Sequence, residues 1–226
     1  LYTVYTNLFV YDKHGVVIAV SNKDEAHLVG RKLSDEWIRR NLTITDSSKY
    51  CVSDFEESNL YNSKHTYIYN APILSLKNES VVLGGIGIVF DSEVEFMAMI
   101  NESLPKQEDG TVKDGLFSVL ATKEQVIIAS NNEEYKTGAI FEIDRKFFEL
   151  KNGESLSEII EFNGNYYALG AQCSKGYREY KSETDDYQND VYNFVFSFIS
   201  NVAEKKVDIG EKYTLDKDIS MEINEN

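Results

Sequence analysis

The chain has 226 residues, 42% of them hydrophobic and 12% aromatic, which is enough to bury a sizeable core and excludes a disordered segment. Its formal net charge of −15 repels phosphate backbones and anionic lipid headgroups, so we expect no nucleic-acid partner. No stretch approaches the roughly 18 apolar residues that a membrane span needs. The chain opens on strand-like residues without a signal peptide, which suggests a fragment of a longer protein.

Strand-like runs dominate the first half of the chain. Residues 6–12 and 16–22 are rich in Val, Phe and Ile and are joined by a turn at Gly15, which predicts a β-hairpin. The run SVVLGGIGIVF is almost continuously apolar, as is typical of a central strand, and its glycines favour strong twist or the close approach of another segment. In chain order, the further predicted strands are 49–55, 64–74 and 80–90.

Two helices are predicted in the same half. Ser34 is a candidate N-cap for a short helix from about Asp35 to Asn41, which would turn Trp37 inward. A longer helix follows the central strand, where Ser92 and Glu95 match a capping box.

The second half repeats the order of the first. QVIIASNN (125–132) echoes GVVIAVSN (15–22), and Gly138 then stands where Gly30 stood, before a short helix and three strands. The repeat predicts an α+β chain of two tandem modules. The last strand carries aromatic residues on one face by strict alternation, namely Tyr192, Phe194, Phe196 and Phe198. The predicted boundaries are 1–105 and 111–200 for the modules, with 201–226 as a linker or the start of a further domain.

Motifs of catalysis and metal binding are absent from the sequence. It has no nucleophile elbow, phosphate-binding loop, zinc-protease motif or Cys-x-x-Cys pair, and its three histidines stand far apart. Cys51 and Cys173 have no metal-type or redox-type spacing and are expected to be single core or strand residues. We therefore expect no enzyme, no metal and no cofactor.

Side chains that clasp small polar molecules are concentrated between residues 37 and 69. Arginine offers a fork for a carboxylate, and aromatic rings exclude water around it. Alternatively, the tryptophan belongs to the core, the arginines face solvent and the tyrosines only cover a sheet. The candidate ligand-binding residues are Trp37, Arg39, Arg40, Tyr50, Ser53, Tyr67 and Tyr69.

Several stretches resemble a Cache domain, a PAS-like extracytoplasmic sensor module of bacterial chemoreceptors, sensor kinases and cyclic-dinucleotide enzymes. They are LFVYDKHGVVIAVSN, the LVG turn, the helix with Trp37, YCVSDF, TYIYNAPI and VVLGGIGIVF. With the repeat, the chain resembles a double Cache domain, each module an antiparallel sheet flanked by short helices. The resemblance implies a membrane-distal first module that binds the ligand near Trp37 and a membrane-proximal second module. It also implies a membrane tether or signalling domain outside this fragment and a periplasmic location, and it leaves a homodimer open.

One subset of that family binds free amino acids through an Arg-x-Trp-Tyr element, a later Tyr-x-Asp and an Asp near the end of the central strand. Here Trp37 matches, but Asp35 and Ile86 stand at the Arg and strand Asp positions. Phe55 and Glu57 stand at the Tyr and Asp positions, and Phe55 therefore joins the candidate ligand-binding residues. These departures argue against amino-acid sensing by that route.

The expected function is a non-catalytic, ligand-binding input region of a bacterial signalling or chemotaxis receptor. Arg39 and Arg40 favour a small carboxylate or another anionic metabolite. The alternative is a PAS-like dimerisation or scaffolding module of a soluble, cytoplasmic signalling protein. In that case the first module would be filled by its own side chains and would bind no small molecule.

Overall fold

The computed structural model describes residues 4–174 and 190–202, which fold into two five-stranded antiparallel sheets with short helices. The α+β prediction is confirmed. Most of the polar insertion after Cys173 and most of the tail predicted from residue 201 lie outside the described residues. We call residues 4–104 the first unit, and residues 115–174 with 190–202 the second unit.

The elements of both units are as follows. The first unit contains strands β1 (Tyr5–Asp12), β2 (Val17–Val20), β3 (Cys51–Val52), β4 (Glu56–Ser58), β5 (Lys64–Thr66), β6 (Ile68–Ser75) and β7 (Asn78–Phe90). Its helices are α1 (Glu36–Asn41), α2 (Ser92–Ser103) and the 3-10 helices Lys23–Leu28 and Asn59–Tyr61. The second unit contains β8 (Leu116–Thr122), β9 (Ile127–Ser130), β10 (Ser155–Phe162), β11 (Asn165–Cys173), β12 (Val191–Asn201) and the 3-10 helix Arg145–Glu149.

The two sheets have the same strand order. The first runs β2-β1-β7-β6-β3, the second runs β9-β8-β12-β11-β10, and β4 and β5 form a separate two-stranded hairpin. In both sheets the last strand in the chain therefore lies in the centre, between the first and the fourth. In each unit the segment that follows the first hairpin forms a single antiparallel bridge next to the edge strand. The bridge joins Val16 and Lys32 in the first unit and Val126 and Ile140 in the second.

The sequence echo marks equivalent backbone in the two units. Gly30 has a φ of 85° and donates its N–H to the carbonyl of Val17 at 2.8 Å. Gly138 has a φ of 83° and donates to Ile127, also at 2.8 Å. A positive φ favours glycine, so the predicted match of these two turns has a conformational cause.

The glycines of β7 are explained by close approach. A Cβ atom at Gly87 would lie 2.1 Å from the ring of Phe9, and one at Gly85 would lie 2.4 Å from the ring of Tyr11. Both rings belong to β1 and lie flat across the neighbouring central strand. Side chains at these two positions of β7 are therefore excluded sterically.

Both predicted N-caps are wrong by one residue. Asp35, with extended backbone, precedes α1 in place of Ser34, and Asp91 precedes α2 in place of Ser92. The hydroxyl of Ser92 lies 2.8 Å from that of Thr66, so it is engaged by a neighbouring strand.

The predicted strand 49–55 is shorter than expected. Only Cys51–Val52 pairs with β6 as a strand. At the next residue, the hydroxyl of Ser53 accepts the N–H of Ile68 at 2.9 Å, so a side chain replaces the next backbone carbonyl of the ladder. The loop that leaves the sheet there leads to β4.

The core has three clusters. One fills the inner face of each sheet, which is the face toward α1 in the first unit and toward the 3-10 helix Arg145–Glu149 in the second. The third, which we call the interface cluster, joins the two units, and α2 packs on β9 there. Its buried members are Val4, Val52, Phe55, Tyr67, Phe90, Phe96, Ile100, Leu104, Leu120, Ile128 and Ala129.

Among the described residues, no helix is long and apolar enough to cross a membrane. Cys51 and Cys173 are both free thiols. Burial raises the pKa of the Cys51 thiol to about 11, so this residue is protonated at neutral pH.

Candidate functional site

A cavity of about 220 Å³ opens on the inner face of the first sheet. We call it the first-unit cavity. It lies between β6, the helix α1, the 3-10 helix Lys23–Leu28 and the loop that carries β4. Its lining residues are Leu28, Arg31, Lys32, Leu33, Ser34, Asp35, Trp37, Ser53, Glu56, Glu57, Ser58, Asn59, Leu60, Thr66 and Ile68.

The floor of the first-unit cavity is buried and held in place. Trp37 is 4% exposed and packs edge-on against Phe9, with 6.2 Å between ring centroids. The Ser53 hydroxyl donates to the carbonyl of Asp54 at 2.9 Å, and the Thr66 hydroxyl donates to the carbonyl of Phe90 at 2.6 Å. The floor is therefore preformed, and its two hydroxyls mainly position backbone.

The rim of the first-unit cavity is charged with both signs. Two cations, Arg31 and Lys32, face three carboxylates, those of Asp35, Glu56 and Glu57. Within the part of the chain that the structure describes, none of the five takes part in an ion pair. The rim can thus bind a negative and a positive group of one molecule at the same time.

The raised pKa of Glu56 indicates that the carboxylates near it repel one another. Burial, followed by the nearby charges of Asp54 and Asp35, raises the pKa of its carboxyl, while His65 opposes the rise. An ammonium or guanidinium group placed between these carboxylates would relieve their repulsion.

The structure separates the candidate ligand-binding residues into three groups. Trp37 and Ser53 line the first-unit cavity. Arg39 is exposed and pairs with Glu36 one turn earlier on α1. Arg40 donates to the carbonyl of Val52 at 2.6 Å and lies outside the cavity lining.

The aromatic candidates lie in a different place. Phe55 and Tyr67 are buried in the interface cluster, with 5.1 Å between their ring centroids, and Tyr50 and Tyr69 pack against that cluster. Burial raises the pKa of Tyr67 well above its ordinary value. Tyr67 lies between β5 and β6, and its side chain packs in the interface cluster, while its neighbours Thr66 and Ile68 line the first-unit cavity.

The charged rim was missed by reasoning from the sequence, although the repeat contains a signal for it. From the equivalence of Gly30 and Gly138, Arg31 and Lys32 match Ala139 and Ile140 of the second unit. A pair of cations in one copy against a pair of apolar residues in the other marks a position where the units differ in chemistry.

Clusters of metal-binding side chains do not occur among residues 4–174 and 190–202. What the first-unit cavity offers is a rigid, partly apolar floor with charges of both signs above it. Such a cavity is suited to hold and orient a small polar molecule.

No known family model matches the chain, and no curated protein matches it significantly. Several solved structures, however, have a similar fold. An extracellular ligand-binding receptor from Desulfohalobium retbaense is 12% identical, with a TM-score of 0.61 over 86% of this chain and 30% of that chain. The sensor domain of the histidine kinase DctB from V. cholerae is 14% identical, with a TM-score of 0.51 over 86% of this chain and 72% of that chain.

A third similar structure is the ligand-binding domain of the Campylobacter jejuni chemoreceptor Tlp3 in complex with 4-methylisoleucine. It is 13% identical, with a TM-score of 0.52 over 85% of this chain and 65% of that chain. At these identities the similarity establishes the fold, which this chain shares with ligand-binding and sensor domains of receptors and a histidine kinase. The fold that the Cache resemblance implies is therefore confirmed. The chain spans less than a third of the length of the Desulfohalobium structure.

Proposed function

We propose that this chain is a non-catalytic sensor region that binds one small molecule in the first-unit cavity. The observation that carries the proposal is a preformed cavity of about 220 Å³ with a buried floor and a charged rim. Three solved structures with the same fold, a ligand-binding receptor, a kinase sensor domain and a chemoreceptor ligand-binding domain, support it. By the same likeness we propose an extracytoplasmic location, with a membrane tether or signalling domain outside this segment.

We propose a zwitterionic ligand that carries a carboxylate and a cationic group. Arg31 and Lys32 would bind the carboxylate, and Asp35 with Glu56 would bind the cation. The preference for a carboxylate is thereby kept, but it rests on these two cations, because Arg39 and Arg40 lie outside the cavity lining. The volume is below the range of about 300–1,000 Å³ typical of drug-sized ligands, so a small metabolite fits best.

The hairpin of β4 and β5 would pass the binding event to the second unit. Glu56, Glu57 and Thr66 of this hairpin line the cavity. His65, which pairs with Glu57, lies so close to Gly138 that a Cβ atom there would be 2.4 Å from His65 Cε1. A ligand that draws the hairpin toward α1 would therefore shift the contact between the units, provided that its affinity differs between the two arrangements.

The second candidate function is a scaffolding role in which the chain binds no small molecule. It is favoured only by the tight packing of Phe9 and Tyr11 across β7, which fills much of the inner face. The first-unit cavity beside these rings argues for ligand binding.

A thermal-shift screen tests the proposal. The purified chain should be screened against zwitterions, simple carboxylates and simple amines of similar size, and we expect zwitterions to give the largest increase in Tm. The variants Arg31→Gln and Glu56→Gln should each lose most of that increase.

Arg39→Gln is the matched control, since it removes a cation that lies outside the cavity lining. It should respond like the wild type. A full response in the Arg31→Gln/Glu56→Gln double variant would exclude the first-unit cavity as the site.

A further inference from the structure

The second unit has a cavity of its own, of about 510 Å³. We call it the second-unit cavity. It opens beside the 3-10 helix Arg145–Glu149 and the start of β12, and it shares no lining residue with the first-unit cavity. Its lining residues are Lys123, Arg145, Phe148, Glu149, Leu150, Lys151, Asn152, Asp190 and Tyr192.

The floor of the second-unit cavity is fixed by one buried tyrosine. Tyr192 is 1% exposed, and its hydroxyl donates to the carbonyls of Phe148 at 2.9 Å and Leu150 at 3.2 Å. These bonds hold the loop after the 3-10 helix against the sheet. The rings of Phe148 and Tyr192 pack together with 5.2 Å between centroids, which gives the cavity an apolar base.

Positive charge is concentrated at the mouth of this cavity. Three cations line it, namely Lys123, Arg145 and Lys151, against the two carboxylates of Glu149 and Asp190. Lys123 lies 4.0 Å from Asp190. Over the described ranges, neither Arg145 nor Lys151 takes part in an ion pair.

This arrangement is unusual for a chain with a net charge of −15, whose surface as a whole repels anions. A concave surface concentrates the field of the charges that line it. Arg145 and Lys151 therefore offer a small anion a favourable local field within this cavity.

We propose that the second-unit cavity binds a small organic anion through a carboxylate or phosphate group. The guanidinium of Arg145 supplies a planar fork for two oxygens, and Lys151 supplies a second positive charge. The rest of the ligand packs on Phe148 and Leu150. The volume lies in the range of ordinary small-molecule sites. This site is independent of the first-unit cavity and of the function proposed for it.

Titration of the whole chain with two probes tests the proposal. Malonate and inorganic phosphate are added separately at constant ionic strength, and binding is followed by two-dimensional NMR of backbone amides and by calorimetry. We expect saturable binding of at least one probe in the millimolar range or tighter, with the largest shifts around residues 145–152. The probe that binds more tightly identifies the group recognised.

Three variants assign the binding to the cavity. Arg145→Gln and Lys151→Gln should each weaken the affinity about tenfold, the loss expected for one charge-assisted contact. Lys146→Gln is the matched control, because its ammonium faces Glu158 outside the cavity and its loss changes the net charge equally. Circular dichroism verifies that all variants fold.

Unchanged affinity in the Arg145→Gln/Lys151→Gln double variant would overturn the proposal. So would an equal loss in Lys146→Gln, which would indicate a general charge effect, or the absence of saturable binding by both probes. The zwitterion response of the first-unit cavity should be the same in all of these variants, so the two proposals fail separately.

Discussion

In the first unit the ring of Phe9 on β1 lies across Gly87 of the central strand. In the second unit the ring belongs to the central strand and the smaller side chain to its neighbour. The equivalent position on β8 holds Val119, and its partner on the central strand is the buried Phe194. Each pair keeps one aromatic ring, while the strand that carries the ring changes. The neighbouring pair shows the same exchange, with Tyr11 and Gly85 in the first unit and Ala121 and Tyr192 in the second.

The units differ in another way at the opposite end of the inner face. By strand register, the cavity-lining Thr66 matches Tyr167 of the second unit, whose ring packs edge-on against Phe196 at 5.6 Å. Phe196 in turn stacks on Phe117, with ring centroids 4.4 Å apart. Aromatic rings of the second unit thus occupy the position that corresponds to the first-unit cavity. Two sheets with the same strand order therefore differ in how this part of the inner face is filled.

The largest effect is expected from Phe194→Ala. This ring is fully buried and contacts Phe141, Phe147 and Phe148, so its removal should cost about 3–5 kcal/mol of the free energy of unfolding. Denaturant unfolding measures the loss. Phe198→Ala, on the same strand but 43% exposed, should cost clearly less. Equal losses would show that the second inner face is not a tightly packed core.

A smaller loss is expected from Gly87→Ala, at about 1–3 kcal/mol, because the new methyl group meets the ring of Phe9. Combining it with Phe9→Leu should recover part of the loss, which a double-mutant cycle would reveal. Gly170→Ala is the control, since a methyl group at that position would meet no atom within 4 Å, and it should change stability by less than about 0.5 kcal/mol. Additive effects of the Gly87 and Phe9 variants would show that the new methyl group does not meet the ring of Phe9.

The two turn glycines provide a finer comparison. Gly30→Ala and Gly138→Ala both force alanine into a left-handed conformation, at a cost of about 1–2 kcal/mol. Only at Gly138 does the new methyl group also collide, because His65 of the first unit lies there, and this should add about 1 kcal/mol. Chemical denaturation of both variants measures the difference. If His65→Ala does not remove it, the excess has another origin.

The smallest effect concerns pH. Since the pKa of Glu56 is raised in the folded chain, its stabilising contribution is complete below the unfolded-state pKa and is lost as pH rises through the folded-state pKa. Glu56→Gln should therefore raise Tm near neutral pH, and the gain should vanish at more acidic pH. Thermal unfolding at both pH values measures it. A gain that grows toward acidic pH would have the wrong sign for this mechanism.

The sequence predicts the architecture well because the repeat carries backbone requirements. Gly30 and Gly138 mark the same turn, and the alternating aromatic residues of β12 mark its inner face. The N-cap of α1 is predicted one residue too early and that of α2 one residue too late. At α2 the reason is that the hydroxyl of Ser92 is engaged by Thr66, a contact between segments that are distant in the sequence.

The candidate site is predicted less completely, for a geometric reason. Thr66 ends β5 and Tyr67 follows it before β6, but their side chains lie on opposite sides of the backbone, Tyr67 in the interface cluster and Thr66 in the first-unit cavity. A cluster of suitable residues within one stretch therefore divides between two surfaces. Trp37 and Ser53 line the cavity, whereas its charges come from Arg31 and the acidic residues of the loop.

The most direct test of ligand binding in the first unit is a crystal structure of the chain with the zwitterion that gives the largest thermal shift. We expect the ligand between Trp37 and Thr66, with its carboxylate toward Arg31 and its cationic group toward Glu56. A ligand bound beside Arg39, or a first-unit cavity left empty at saturating ligand, would contradict the assignment.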